Sequence, residues 1–287
     1  MSVLVKFEKM HGAGNDFVVI DARTGKFTLD DIRKKTPALC HRRTGIGADG
    51  VLVLGDSHDS DFSMHYFNAD GSLAGMCGNG ARCLTRYAVH AGFSRELTFR
   101  MGENIYRAEV HDEYVSIHFP VSPEPETMII DNTTWCELNP GTEHVVAIDP
   151  EFEQTPDESL RAIGREIRNR TDLFPRGTNV NFANPVNQNR LNLVTYERGV
   201  EDLTLACGTG AIATAIGWDF IKHGVEGPPC EGPKTVNSVT DHHIQLDCPG
   251  GPLEVSFQAV HKGSKRTYSN IKLHGPAESV FQGEIEL

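Results

Sequence analysis

The chain has 287 residues, 39% of them apolar and 23% charged, and a net charge of -12 from 27 Lys and Arg against 39 Asp and Glu. That length suits two ordinary domains or one large one, and the composition is that of a soluble globular chain, which excludes a disordered or fibrous protein. The acidic balance, with basic residues scattered and not gathered into a stripe, argues against nucleic acid, and no stretch approaches 18 apolar residues, so no membrane partner is expected.

Met1-Ser2-Val3-Leu4-Val5-Lys6 lacks an apolar run of signal-peptide length, and the expected compartment is cytoplasmic. Seven cysteines, odd in number and irregularly spaced, do not read as a secreted disulfide framework. Cys40, Cys83, Cys136, Cys230 and Cys248 lack flanking glycines and are assigned to packing or surface.

Along the chain, Val3 to Phe7 and Phe17 to Ile20 read as strands around the turn cluster His11-Gly12-Ala13-Gly14-Asn15-Asp16, which can display Asn15. Residues 28–41 read as a helix opened by Thr28 and disturbed near Pro37. Gly45-Ile46-Gly47-Ala48-Asp49-Gly50 matches a dinucleotide fingerprint in letters only. That fingerprint needs a strand before it and a helix after it, whereas here a strand-like run follows, so a tight turn into a strand is expected. Met64 to Asn68 reads as a strand, Asn68 to Ser72 as a sharp turn, and 96–119 as short alternating strands. Val121 to Thr127, rich in proline, is the best linker and the expected domain boundary. Beyond it come strand-like segments near 127–130 and 143–148, a charged helix from about 157 to 169, and a turn over Pro175 to Asn179. Asn179 before Val180-Asn181-Phe182 looks like a weak repeat of Asn15 before Phe17-Val18. A β-rich run from Asp241 closes the chain; its adjacent His242 and His243 would point to opposite faces of a strand, and no metal-ligand spacing appears, so no metal is expected.

A stronger repeat lies in Cys77-Gly78-Asn79-Gly80-Ala81 and Cys207-Gly208-Thr209-Gly210-Ala211. Each copy follows a strand-like run and opens a helix-like one, Ala81 to Val89 and Ala211 to Ile221, with Gly92 and Gly224 as closing caps. Each cysteine therefore sits at a helix amino end, where unpaired N–H groups and the helix dipole lower a thiol's pKa and attract an anion. The plain alternative is a pair of small buried residues at glycine-rich turns. Facing one another, two such thiols suit removal of a hydrogen from one side of a carbon and its replacement from the other. The N–H groups of both helices would then stabilise the charge that flows onto a neighbouring carboxylate.

His11 to Phe17, Phe67 to Ser72, Cys77 to Arg82, Tyr196 to Gly199 and Ala206 to Ala211, together with Pro249-Gly250-Gly251 and Gly275-Pro276-Ala277, resemble the motifs of the diaminopimelate epimerase family. The resemblance implies an α/β (α+β) fold of two pseudo-symmetric domains, each a barrel-like, mostly antiparallel sheet around a central helix, with the active site in the interdomain cleft. With the last strand returning to the first domain, the expected domains are 1–124 plus about 272–287, carrying Cys77, and 125–271, carrying Cys207. The implied activity is interconversion of LL- and meso-2,6-diaminopimelate by thiol and thiolate, without a cofactor, in lysine and peptidoglycan precursor biosynthesis. Matching positions make Cys77 and Cys207 the acid/base pair, assisted by His144 and Glu197. Gly78, Asn79, Gly208 and Thr209 would hold the reacting carboxylate, and Asn15, Asn68, Asn179, Glu197 and Arg198 the rest of the substrate. The expected partner is this small molecule, and the resemblance allows a homodimer.

One departure stands out. Where the family often shows Gly-Asn-Pro-His, this chain has Gly141-Thr142-Glu143-His144, so the asparagine that commonly touches the distal end of the substrate is a threonine. The alternatives are a related racemase of histidine or proline type with the same two thiols, a thiol–disulfide switch, and a binding module without chemistry.

Overall fold

The computed structural model describes residues 3–23, 25–224, 238–262 and 265–286; Cys230 lies outside them. The described chain folds as two compact units, Met1–His118 with His274–Leu287, and Phe119–Leu273.

In the first unit, β1 (Leu4–Gly12) and β2 (Asn15–Asp21) form an antiparallel hairpin whose Ala13 and Gly14 both have positive φ, 52° and 84°. Positive φ at both central residues defines the turn whose twist matches paired strands. α1 (Leu29–Cys40) crosses over to β3 (Gly50–Gly55), parallel to β2, and β3 pairs antiparallel with β4 (Phe62–Asn68). Thr28 caps α1 in a capping box with Asp31. The helix runs on through Pro37 instead of breaking there, because Ile32, Thr36, Leu39 and Cys40 anchor it against the sheet. Gly45 fits a turn so tight that a Cβ would lie 2.1 Å from the Ala38 carbonyl oxygen. α2 (Gly78–His90) follows, buried along most of its length and packed against β1, β2, β3 and β4. β5 (Glu96–Met101), parallel to β4, then β6 (Asn104–Val110) and β7 (Val115–Phe119) extend the sheet, and the final strand, β17 (Glu278–Glu286), pairs with β1.

The second unit repeats this plan. β8 (Glu126–Ile130) and β9 (Thr133–Leu138) lead antiparallel into β10 (His144–Ile148). α3 (Asp157–Arg168) crosses over to β11 (Asn179–Asn187), parallel to β10, which pairs antiparallel with β12 (Arg190–Glu197). After the short β13 (Asp202–Thr204) comes α4 (Gly208–Gly224), packed on β9, β10, β11, β12, β14 and β15. β14 (Ser238–Cys248) lies parallel to β12 and antiparallel to β15 (Gly251–Lys262), and β16 (Lys265–Gly275) completes the β-rich end. The fold is thus α+β and pseudo-symmetric, with one central helix per unit, α2 and α4.

The topology corrects one reading. β11 occupies the place of β3, so Asn179 is the counterpart of Gly50; Phe17 pairs with Gly50 as His144 pairs with Asn179, which makes Thr142, two residues before His144, the counterpart of Asn15. An asparagine before an apolar strand had suggested the other match, but local letters do not distinguish the strands on the two sides of a crossover. Both central helices also start three residues before the apolar run, at Gly78 and Gly208. Glycine weakens a helix interior but is tolerated in a first turn whose cap comes from the cysteine.

Candidate active site

Cys77 is the N-cap of α2: its φ is -119°, its Sγ accepts the Gly80 N–H at 3.4 Å, and its carbonyl accepts the Ala81 N–H at 2.8 Å. Cys207 makes the equivalent pair on α4, with the Gly210 N–H 3.4 Å from Sγ and the Ala211 N–H 2.9 Å from the carbonyl oxygen. The same backbone therefore points a sulfur along a helix axis in both units. The N–H groups of Gly78 and Asn79, and of Gly208 and Thr209, belong to first turns and so have no intrahelical acceptor. Each sulfur thus lies beside a ready-made carboxylate cradle.

Other candidate residues gather at the same end of each sheet. In the first unit Asn15 opens β2, Gly50 opens β3 and Asn68 ends β4. The Asn15 amide lies between a carboxylate and the thiol: Nδ2 donates to Asp49 Oδ2 at 2.5 Å, and Oδ1 is 3.7 Å from Cys77 Sγ. Asp49 is held by Arg42 at 2.6 Å, and Arg42 also pairs with Asp16, which meets the buried Lys9. Burial would raise the Asp16 carboxyl, but hydrogen bonds from Arg42 and Lys9 outweigh it and lower the group to about 2. Asn68 donates to Ser72 Oγ at 3.0 Å inside its turn, and Asn79 is buried against Arg82, whose Nη2 donates to Oδ1 at 2.7 Å.

In the second unit His144 opens β10, Asn179 opens β11 and Glu197 ends β12, half-buried. His144 is fully buried. Asn181 Nδ2 donates to the Val145 carbonyl at 2.9 Å, which fixes the amide's orientation, and its other hydrogen faces His144 Nδ1 at 3.0 Å. Nδ1 is therefore the acceptor, and the ring proton sits on Nε2. Nε2 lies 2.9 Å from Thr142 Oγ1 and 3.0 Å from Thr209 Oγ1, and the Thr209 hydroxyl is 3.6 Å from Cys207 Sγ. His144 thus reaches Cys207 through Thr209. Burial pushes the imidazole down to about 3, and the charge on Arg198 adds to this, so the ring is neutral at physiological pH.

Asn179 is held from both sides, its Nδ2 donating to the Glu143 carbonyl at 2.9 Å and its Oδ1 accepting the Arg198 N–H at 2.9 Å. Arg198 Nη1 donates to the carbonyl oxygens of Arg176 and Gly177 at 2.8 and 3.0 Å. Each unit therefore collects its own share of the candidate residues: Asn15, Asn68, Cys77, Gly78 and Asn79 in the first, His144, Asn179, Glu197, Arg198, Cys207, Gly208 and Thr209 in the second. The supporting roles of Asp49, Arg176 and Asn181 escape the sequence reading, which singles out Thr142 and Glu143 only as a departure from the family pattern. Of those three, Asn181 alone left a signal there, as a polar residue in the middle of an otherwise apolar strand.

The remaining thiols differ. Cys40, Cys83 and Cys136 are buried, and burial pushes them up to about 11, 12 and 12, which suits packing and not proton transfer. Among the described residues no group of three or more His, Cys, Asp or Glu is arranged to hold a metal ion, and no helix is long and apolar enough to cross a membrane. His242 and His243 do point apart, one stacked on Phe257 and the other beside Glu254.

A family model described as diaminopimelate epimerase matches residues 7–118 and 136–269. The diaminopimelate epimerase of Chlorobaculum tepidum is 36% identical over 284 residues, covering 97% of this chain and 100% of that protein. That of Flavobacterium psychrophilum is 35% identical over 286 residues, covering 98% and 100%. Among solved structures, a PhzF-family phenazine biosynthesis protein of Bacillus anthracis superposes with a TM-score of 0.68 at 11% identity, covering 99% of both chains. A hydroxyproline epimerase of Agrobacterium vitis, with bound trans-4-OH-L-proline, also gives 0.68, at 12% identity, covering 99% of this chain and 91% of that one. At such identities the likeness is one of fold.

Proposed function

Because this chain belongs to the diaminopimelate epimerase family and is an isomerase, we propose that it interconverts LL- and meso-2,6-diaminopimelate, with Cys77 and Cys207 as the two proton-transfer groups. The observation that carries this reading is the duplicated cap, in which each sulfur accepts the third N–H of its helix at 3.4 Å. A packing cysteine has no need of that geometry twice. One thiolate removes the α-hydrogen from one face, and the other sulfur, as a thiol, delivers a proton to the opposite face. The roles exchange in the reverse direction, so the enzyme must alternate between two complementary protonation states. Negative charge on the α-carbon flows onto the adjacent carboxylate, where the N–H groups of Gly78, Asn79, Gly208 and Thr209 stabilise it. Each such donor is worth about 3–4 kcal/mol in the transition state.

The two thiols are assisted differently. Cys207 faces a hydroxyl whose oxygen accepts from a neutral imidazole, and with the Thr142 hydroxyl donating to Thr209 the Thr209 proton points to the sulfur and supports the thiolate. Cys77 faces the Asn15 carbonyl oxygen, an acceptor, which supports the protonated thiol. Cys207 as base and Cys77 as acid is therefore the resting assignment. Glu197 and Arg198, with Asn15, Asn68 and Asn179, hold the distal amino acid end. This chemistry needs no cofactor, and it serves lysine and peptidoglycan precursor synthesis.

The test is exchange of the α-hydrogen in D2O. Incubation with LL-diaminopimelate should give the meso isomer carrying solvent deuterium at the inverted carbon, while proline, hydroxyproline and histidine remain unlabelled. Labelling of one of those amino acids and not of diaminopimelate would favour the racemase reading and overturn this one.

A further inference from the structure

The Glu143 side chain lies in the same corner as Arg198 and has no part in the scheme above. Its Oε1 is 2.7 Å from Arg176 Nη2 and its Oε2 is 2.9 Å from Arg198 Nη1, with 21% of the side chain exposed. The backbone fixes its position, since the Glu143 carbonyl accepts both the backbone N–H and the side-chain amide of Asn179, at 3.0 and 2.9 Å. Arg198 does not depend on Glu143 for its own placement. Two carbonyl oxygens already occupy its Nη1, and Gly177, at φ 68°, leaves room where a Cβ would come within 3.3 Å of Arg198 Cδ. Among the described residues Nε and Nη2 of Arg198 have no hydrogen-bond partner, so the edge of the guanidinium that could grip a carboxylate in bidentate fashion stays open. The contribution of Glu143 is thus its charge. It halves the positive charge of the two arginines while leaving the geometry of Arg198 alone.

Thr142 does not take over the missing asparagine's place at this corner, because its hydroxyl is engaged inward with His144 and Thr209. We propose that Glu143 is a selectivity residue: its carboxylate, held between Arg176 and Arg198, penalises ligands whose distal end is a bare carboxylate and admits those whose distal carboxylate is accompanied by an ammonium group. A carboxylate offers about four acceptor positions. Each Glu143 oxygen is within ion-pair distance of one arginine, which leaves lone pairs for an ammonium. A ligand lacking that ammonium brings its carboxylate to a corner where Glu143 has already neutralised half of the arginines' charge, and it has no cation of its own to face Glu143.

This inference rests on the reading of Arg198 as the distal carboxylate's partner. The probes are meso-diaminopimelate and 2-aminopimelate, which keeps the distal carboxylate and lacks the distal ammonium. Affinities for both are measured by calorimetry on the wild type, Glu143→Gln and Arg176→Gln, with folding checked by circular dichroism. Glu143→Gln should reduce the preference for diaminopimelate about fivefold, chiefly by tightening 2-aminopimelate, the scale expected of a partly exposed ion pair. Arg176→Gln, which leaves Glu143 less neutralised, should shift the preference the opposite way. An unchanged ratio in both folded variants of an enzyme that epimerises diaminopimelate overturns the role of Glu143 alone. Failure of the wild type to bind diaminopimelate overturns the underlying reading as well.

Discussion

Buried at the start of β10 with its proton on Nε2, His144 is a donor and not a base. Its influence on Cys207 passes through one hydroxyl. Thr209→Val keeps the shape of that side chain and breaks the link, so the thiolate loses a hydrogen bond that favours the charged form and its pKa rises. The alkaline-going limb of the kcat/KM profile should move to higher pH, with a loss of about ten- to a hundredfold near neutrality. A limb that stays in place would show that the hydroxyl has no such role. The imidazole itself, pushed from 6.5 to about 3, binds protons in the unfolded chain before it does so in the folded one. Its contribution to stability is therefore complete above pH 6.5 and declines as pH falls towards 3. In NMR spectra the His144 ring signals should not shift between pH 5 and 8; a midpoint near 6.5 would refute the burial argument. The cysteines were legible in the sequence because glycines flank them twice. The tautomer was not, since it depends on Asn181, which reaches the ring across β10 and β11.

At the scale of elements, the starts of the central helices set what each cap tolerates. A Cβ on Gly210 would lie 2.6 Å from Asn181 Oδ1 and 3.1 Å from Thr195 Oγ1, inside the buried polar cluster that orients His144. A Cβ on Gly80 would meet only the far end of a flexible side chain, 2.9 Å from Leu52 Cδ2. Gly210→Ala should therefore cost about 1–3 kcal/mol in urea unfolding and impair turnover, while Gly80→Ala should be near neutral, as the gain in helix propensity offsets the strain. Equal effects would mean that the two caps are packed alike. Strand-to-helix order, the β1–β2 turn, α1 with its Thr28 cap and α3 were readable because turn residues and apolar spacing are local. The matching of strands between halves was not. By register Phe17 matches His144 and Asn15 matches Thr142, pairs with little likeness in letters, and a repeat sought by letters settles on Asn179 instead.

At the scale of the whole molecule, duplication gives two units of one plan, and each needs a core of its own. In the second unit Asp219, 2% exposed, sits on α4 beneath the β-rich end. Arg266 binds it in bidentate fashion at 2.7 and 2.8 Å, and the Tyr268 hydroxyl at 3.1 Å. Asp219→Ala removes the buried carboxylate that holds the half-buried Arg266 guanidinium and should cost about 2–4 kcal/mol, read as a lower urea midpoint. A loss below about 1 kcal/mol would mean the pair is solvated. The β-rich end showed in the sequence through its alternation, whereas this ion pair joins residues 47 apart on different elements and left no local trace. Duplication also underlies the proposed chemistry, in which a single stereocentre takes one acid and one base and the repeated cap would supply both. The most direct test is the rate at which Cys77→Ala and Cys207→Ala, each verified as folded, convert LL-diaminopimelate to the meso isomer. Both should fall by at least about a thousandfold; a rate within tenfold of the wild type in either variant would contradict the two-thiol mechanism.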